Sequence, residues 1–113
     1  MYPLIKLPDH LESIPRASLH KFFNDVFSSV DPQFYALEKH TQSGGYIDYS
    51  QNLDFSIYNV SLNDTAIIVN FAVFFTEIMI CCGCGDEPQS FSNAVELCVH
   101  IIRKDGEMCL FSN

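Results

Sequence analysis

The chain has 113 residues, 48% of them hydrophobic, with 14 Asp and Glu against six Lys and Arg. This length fits one domain, 1–113, with a modest core, and ten Phe with five Tyr exclude a disordered chain because they bury enough apolar surface to offset chain entropy. A net charge of −8 and a pI near 4.6 exclude a nucleic-acid binder that works by neutralising phosphates.

From Ser13 to Val30 the apolar positions Leu19, Phe22, Phe23, Val26, Phe27 and Val30 recur at helical spacing and trace one face of a helix, with Pro15 in its first turn. Asp31-Pro32 stops that helix and caps a short second one reaching about Gln42, which Ser43-Gly44-Gly45 ends. The remainder reads as strands. Tyr46 to Tyr49 forms a short one. Leu53 to Leu62 forms a second, with Leu53, Phe55, Ile57 and Asn59 on one side and Asp54, Ser56 and Tyr58 on the other. After an Asn63-Asp64 turn, Thr65 to about Cys81 is the longest strand, apolar on both faces and therefore placed centrally under other elements. Gly83 to Asn93 reads as a polar loop. Ala94 to Arg103 is a strand with Val95, Leu97, Val99 and Ile101 inward, joined to Met108–Ser112 by a two-residue Asp105-Gly106 turn. The pattern predicts an α+β fold: one or two N-terminal helices packed on a curved antiparallel sheet of about five strands, in a cystatin-like or nuclear-transport-factor-like arrangement.

Met1 to Pro8 has no apolar run of signal-peptide length, and Asn70, Thr76 and Glu77 interrupt the stretch Ala66 to Cys82 that would otherwise suit a bilayer. A cytoplasmic protein that binds no membrane and no nucleic acid is the expectation. Five cysteines without a secretory signal read as free thiols. Cys81, Cys82 and Cys84, with Cys98, Cys109 and His100, are soft ligands, but the one-residue gap between Cys82 and Cys84 departs from zinc spacing. The two-residue turn sets Ile102 opposite Cys109, which leaves Cys98 about 13 Å from a shared site with Cys109 at strand rise. No metal and no cofactor are expected. A Cys109–His100 nucleophile lacks a helix N-terminus or strained turn to activate the thiol, so no catalytic residue is assigned.

The charge layout is more informative. Thr41 through Ile102 contains no Lys or Arg, while Asp48, Asp54, Asp64, Glu77, Asp86, Glu87 and Glu96 fall inside it. Such a one-sided field attracts a basic partner and accelerates encounter, and aromatic side chains among the acids supply contact area. The acidic-aromatic set Tyr46, Asp48, Tyr49, Asp54 and Tyr58, with the loop Cys82-Gly83-Cys84-Gly85-Asp86-Glu87-Pro88, resembles bacterial immunity proteins that neutralise polymorphic toxins, including those of contact-dependent growth inhibition. The resemblance covers the whole chain in character and rests on no diagnostic motif. It implies a non-enzymatic inhibitor that occludes the basic active site of a toxin domain, often a nuclease. The expected partner contacts are Asp86, Glu87, Asp48, Asp54, Tyr46 and Tyr58. The alternative is a small enzyme or ligand-binding protein with a pocket between helix and sheet, lined by Tyr46, Tyr49, Tyr58, Asp48 and Asp54. A third reading is a phage-type nucleic-acid mimic.

Overall fold

The computed structural model describes residues 3–41, 45–50, 52–79 and 89–112. One α-helix, α1 (Arg16–Ser29), is preceded by a 3-10 turn at Leu11–Ser13 and followed by 3-10 turns at Pro32–Tyr35 and Leu37–His40. The strands are β1 (Tyr46–Ile47), β2 (Asp54–Leu62), β3 (Ala66–Met79), β4 (Gln89–Ile102) and β5 (Met108–Ser112). They form one curled antiparallel sheet with α1 against one face, an α+β arrangement.

Helix α1 forms where the apolar stripe predicts it, with Pro15 immediately before its first residue. Leu19, Phe23 and Phe27, spaced one helical turn apart, are its buried residues. Phe27 meets Phe71 of β3 with ring centroids 4.7 Å apart, and Phe55 of β2 at 6.3 Å. The Tyr35 hydroxyl donates to the Phe27 carbonyl at 2.6 Å, satisfying an acceptor near the helix C-terminus that lacks an intrahelical donor. Burial raises the pKa of that phenol and keeps it a donor.

The second helix expected from Asp31 to about Gln42 is replaced by the two 3-10 turns. Asp31 does cap, its carboxylate accepting from the Gln33 N–H at 3.0 Å. Ala36, however, takes a left-handed backbone (φ 50°) between the turns, which breaks any continuous helical ladder. The break allows both Tyr35 and Leu37 to be fully buried.

β3 lies in the middle of the sheet, flanked by β1 and β2 on one edge and β4 on the other, with β5 outside β4. Ile67, Val69, Phe71, Val73 and Phe75 face α1 and are buried, as are Leu97, Val99 and Ile101 of β4. Three strand readings are corrected. β4 begins at Gln89, so 89–93, expected to be loop, pair with Phe75–Met79 of β3. A bulge leaves Tyr58 unpaired between Ile57↔Phe71 and Asn59↔Asn70, so Asn59 faces outward and Val60 and Leu62 return to the core side. The β4–β5 connection is a four-residue loop, Arg103 to Gly106, closed by Ile102 N–H to Glu107 O (2.9 Å) and Gly106 N–H to Ile102 O (2.7 Å). His100 therefore faces Cys109, and Ile101 faces Met108.

Gly106 sits at φ 78°, where a Cβ would lie 2.0 Å from the Ile5 carbonyl oxygen. That close approach lets Pro3–Ile5 run beside the start of β5, with Met108 N–H donating to Pro3 O at 3.0 Å. Arg103 ties the same loop to the rest of the chain, contacting Glu12 at 2.7 Å and the Asn63 carbonyl at 2.9 Å.

Candidate interaction surface

Side chains alternate across a strand, so each inward residue implies an outward neighbour. The fourteen-residue β3 and β4 span about 45 Å at strand rise, whereas α1 spans about 21 Å. Helix and 3-10 turns lie on the inward side. Across the outward side, registers align Tyr46 with Ile78, Asp54 with Phe74 and Ala94, Ser56 with Ala72 and Glu96, and Asn70 with Cys98 and Phe111. The large side chains are well exposed: Tyr46 49%, Tyr58 48%, Phe74 46% and Phe111 50%. Ile102 extends the apolar area at one end.

Of the residues expected to meet a partner, Tyr46, Asp54 and Tyr58 share this outer face. The bulge sends Tyr58 toward Glu96 and Cys98. Partial loss of water contact raises its phenol pKa, and the Glu96 carboxylate and Cys98 add to the rise. Asp48 follows β1 and is engaged locally, accepting from the Ser50 N–H at 3.0 Å and from the Ser50 hydroxyl. Asp86, Glu87 and the Cys81–Cys84 cluster lie outside the described residues. Phe74 and Phe111 belong to the same face and were not singled out in sequence, whereas Glu96 reads there as an outward-facing acid of the base-free segment but not as a contact. The signal for Phe74 was the alternation within β3, overridden by reading the doubly apolar β3 as covered on both sides. β3 is central in the sheet, yet its outer face is uncovered among the described residues.

The pocket expected between helix and sheet is partly present. A cleft of about 480 Å³ opens beside the C-terminus of α1, with Phe27, Val30, Leu53 and Phe55 as apolar wall and Tyr49 and Asp54 among its polar residues. Tyr46 and Tyr58 are elsewhere, on the outer face. Tyr49 donates its hydroxyl to Glu38, and its pKa is pushed up to about 12 by removal from water and by that carboxylate.

His100 and Cys109 face each other across β4 and β5, with Cys98 on the same outer face. The His100 ring packs at a tilt against Phe111, centroids 4.4 Å apart, and no hydrogen bond from a third group among the described residues orients it. Burial pushes both thiols up in pKa, and Glu107 adds to the rise at Cys109, so both are held protonated. Among the described residues no group of His, Cys, Asp or Glu is placed to hold a metal ion. No helix among them is long and apolar enough to cross a membrane, and the described part of the bilayer candidate, Ala66–Met79, is strand β3.

Compared with protein-family profiles, curated proteins and solved structures, the chain matches none.

Proposed function

We propose that this protein is a non-enzymatic binding module that docks a basic protein domain on the outer face of its sheet, and that the partner is a toxin neutralised by occlusion. One observation carries the reading: Tyr46, Tyr58, Phe74 and Phe111 are exposed on the sheet face opposite the helix beside Asp54 and Glu96, and all of these but Phe111 fall in the segment without Lys or Arg from Thr41 to Ile102. Exposed aromatic side chains spread along one sheet face supply contact area for a partner. The carboxylates steer a positive surface into place and occupy subsites that the toxin uses for phosphates. The immunity-protein resemblance supports the choice of partner, since three of the residues behind it, Tyr46, Asp54 and Tyr58, share this face.

Affinity capture from the native host, identification of the captured protein and co-expression with it form the test. Asp54→Asn with Glu96→Gln should slow association at least several-fold at low salt and little at high salt. Phe74→Ala should accelerate dissociation at least tenfold, equivalent to about 1.4 kcal/mol. Unchanged kinetics in both variants would refute the outer face as the docking surface. Capture of a partner whose activity is unaffected by binding would refute toxin neutralisation.

The cleft beside α1 favours a second reading, a small enzyme or ligand-binding protein using Tyr49 and Asp54. Ser28→Trp, which fills the cleft, separates the two: it removes small-molecule binding and leaves partner docking intact.

A further inference from the structure

Beyond the outer face, one edge of the sheet is left open. β5 lines β4 from Leu97 onward, and among the described residues nothing pairs with that side of β4 from Gln89 to Ala94. The hairpin shows which backbone groups face that side. Ile102 directs both its N–H and its carbonyl toward the β5 side, to Glu107 and Gly106. Backbone groups alternate sides along a strand, and the β3–β4 register runs unbroken from Ile102 to Gln89. Ser90, Ser92 and Ala94 therefore present unpaired N–H and carbonyl groups on the open edge.

Exposed edges are normally blunted by Lys, Pro, bulges or covering segments. Two other edges carry such devices: Pro3–Ile5 runs beside the start of β5, and β2 carries its bulge at Tyr58. Gln89 to Val95 has no charge, no proline and no bulge. It is an uncharged stretch of edge strand in a chain of net charge −8, so two copies meet there without placing like charges opposite each other.

We propose that this edge pairs with the same edge of a second copy about a two-fold axis through Ser92, joining two sheets into one. In that register Ser92 pairs with the partner's Ser92 and Ser90 with the partner's Ala94, so each outward N–H and carbonyl of the three residues finds its complement. On the inward side Phe91, 38% exposed in one copy, meets the partner's Asn93. The position of the axis follows from β5. In each copy β5 occupies the lane beside β4 from Leu97 onward, so an incoming strand pairs only with the residues before it. Isologous two-fold contacts are the commonest way for soluble chains to self-associate. The proposal is independent of the proposed function. If both hold, the joined sheet presents two docking faces side by side.

Sedimentation velocity of the full chain from about 1 μM to about 1 mM reads the association directly. A monomer–dimer equilibrium is expected, with dimer favoured by added salt as repulsion between the acidic chains is screened. Ser92→Pro removes an N–H that faces away from β3, a place where a strand tolerates proline, and should weaken the dimer at least tenfold. Amide exchange in the unmodified chain gives the second measurement. Exchange at Ser90, Ser92 and Ala94 should slow as concentration rises, while Asn93 and Val95, whose N–H groups face β3, stay unchanged. A monomer throughout the range, or a dimer without concentration-dependent protection of those three amides, overturns the proposal whether or not Ser92→Pro folds. A folded Ser92→Pro variant with undiminished dimerisation overturns it as well.

Discussion

Phe23 and Tyr49 show two residue-scale balances. Phe23 is fully buried one turn from both Leu19 and Phe27, with the Phe22 ring edge-on at 5.1 Å. Phe23→Ala removes those contacts and opens a cavity, so chemical denaturation should show a loss of about 3–5 kcal/mol. Tyr49 has the opposite character, exposed on one side and bonded to Glu38 on the other. Its pKa of about 12 in the fold lies above the ordinary tyrosine value of 10.0. The folded state thus holds the phenolic proton more tightly, and this stabilisation is complete below pH 10 and lost as pH rises toward 12. Tyr35 acts in the same direction through burial. Tyr49→Phe should therefore flatten the alkaline fall in melting temperature, with the phenolate absorbance of the parent protein titrating late. Both side chains were visible in the sequence, but only the stripe around Phe23 carried its role there. The Glu38–Tyr49 contact depends on how the 3-10 turns fold back on the segment after β1, which periodicity does not encode.

At the scale of elements, local pattern located α1, the central strand and the returning strand, because each has a sustained period. It failed where one residue changes the count. Ala36 in a left-handed conformation turns an expected helix into two short turns, and the four-residue loop before β5 shifts the whole ladder relative to an Asp-Gly hairpin. The distal β3–β4 pairing was hidden because Ser90, Ser92 and Asn93 look like loop residues, while their partner strand supplies the apolar content. Glu77, only 1% exposed, links that region to β1: it accepts from the Gly45 N–H at 2.9 Å and from the Asn93 amide at 2.6 Å. Gly45 must be glycine for the approach, since a Cβ would sit 2.3 Å from the Ile78 carbonyl oxygen. Glu77→Leu leaves two part-buried donors without that acceptor. It should cost about 1–3 kcal/mol in a urea titration, although Leu is the more apolar residue.

On the scale of the whole molecule, the extents of 57 × 28 × 22 Å describe an elongated body built on the β3–β4 ribbon. One helix cannot cover such a sheet. Burying the inner face leaves the outer face to water, and its composition then becomes informative. The absence of bases between Thr41 and Ile102 was legible from sequence alone. That Tyr46, Asp54 and Tyr58 would join Phe74 and Phe111 on one surface was not, because it required the strand registers. With Arg103 engaged by Glu12 and the Asn63 carbonyl, the sheet half shows little positive charge to soften its field. Association with a basic partner should therefore slow steeply as ionic strength rises, a dependence that stopped-flow mixing at graded salt would measure.

Tyr58 is surplus to the ladder that holds it. On either side of the bulge the pairing already alternates in phase, Ile57 inward, Asn59 outward and Val60 inward. A gene lacking the Tyr58 codon would encode an uninterrupted strand with every core side chain still in place. Such a deletion should melt within a few degrees of the parent, a shift of about 1 kcal/mol or less, while losing partner affinity at least tenfold. Regularity of the scaffold and possession of this tyrosine are thus separable traits.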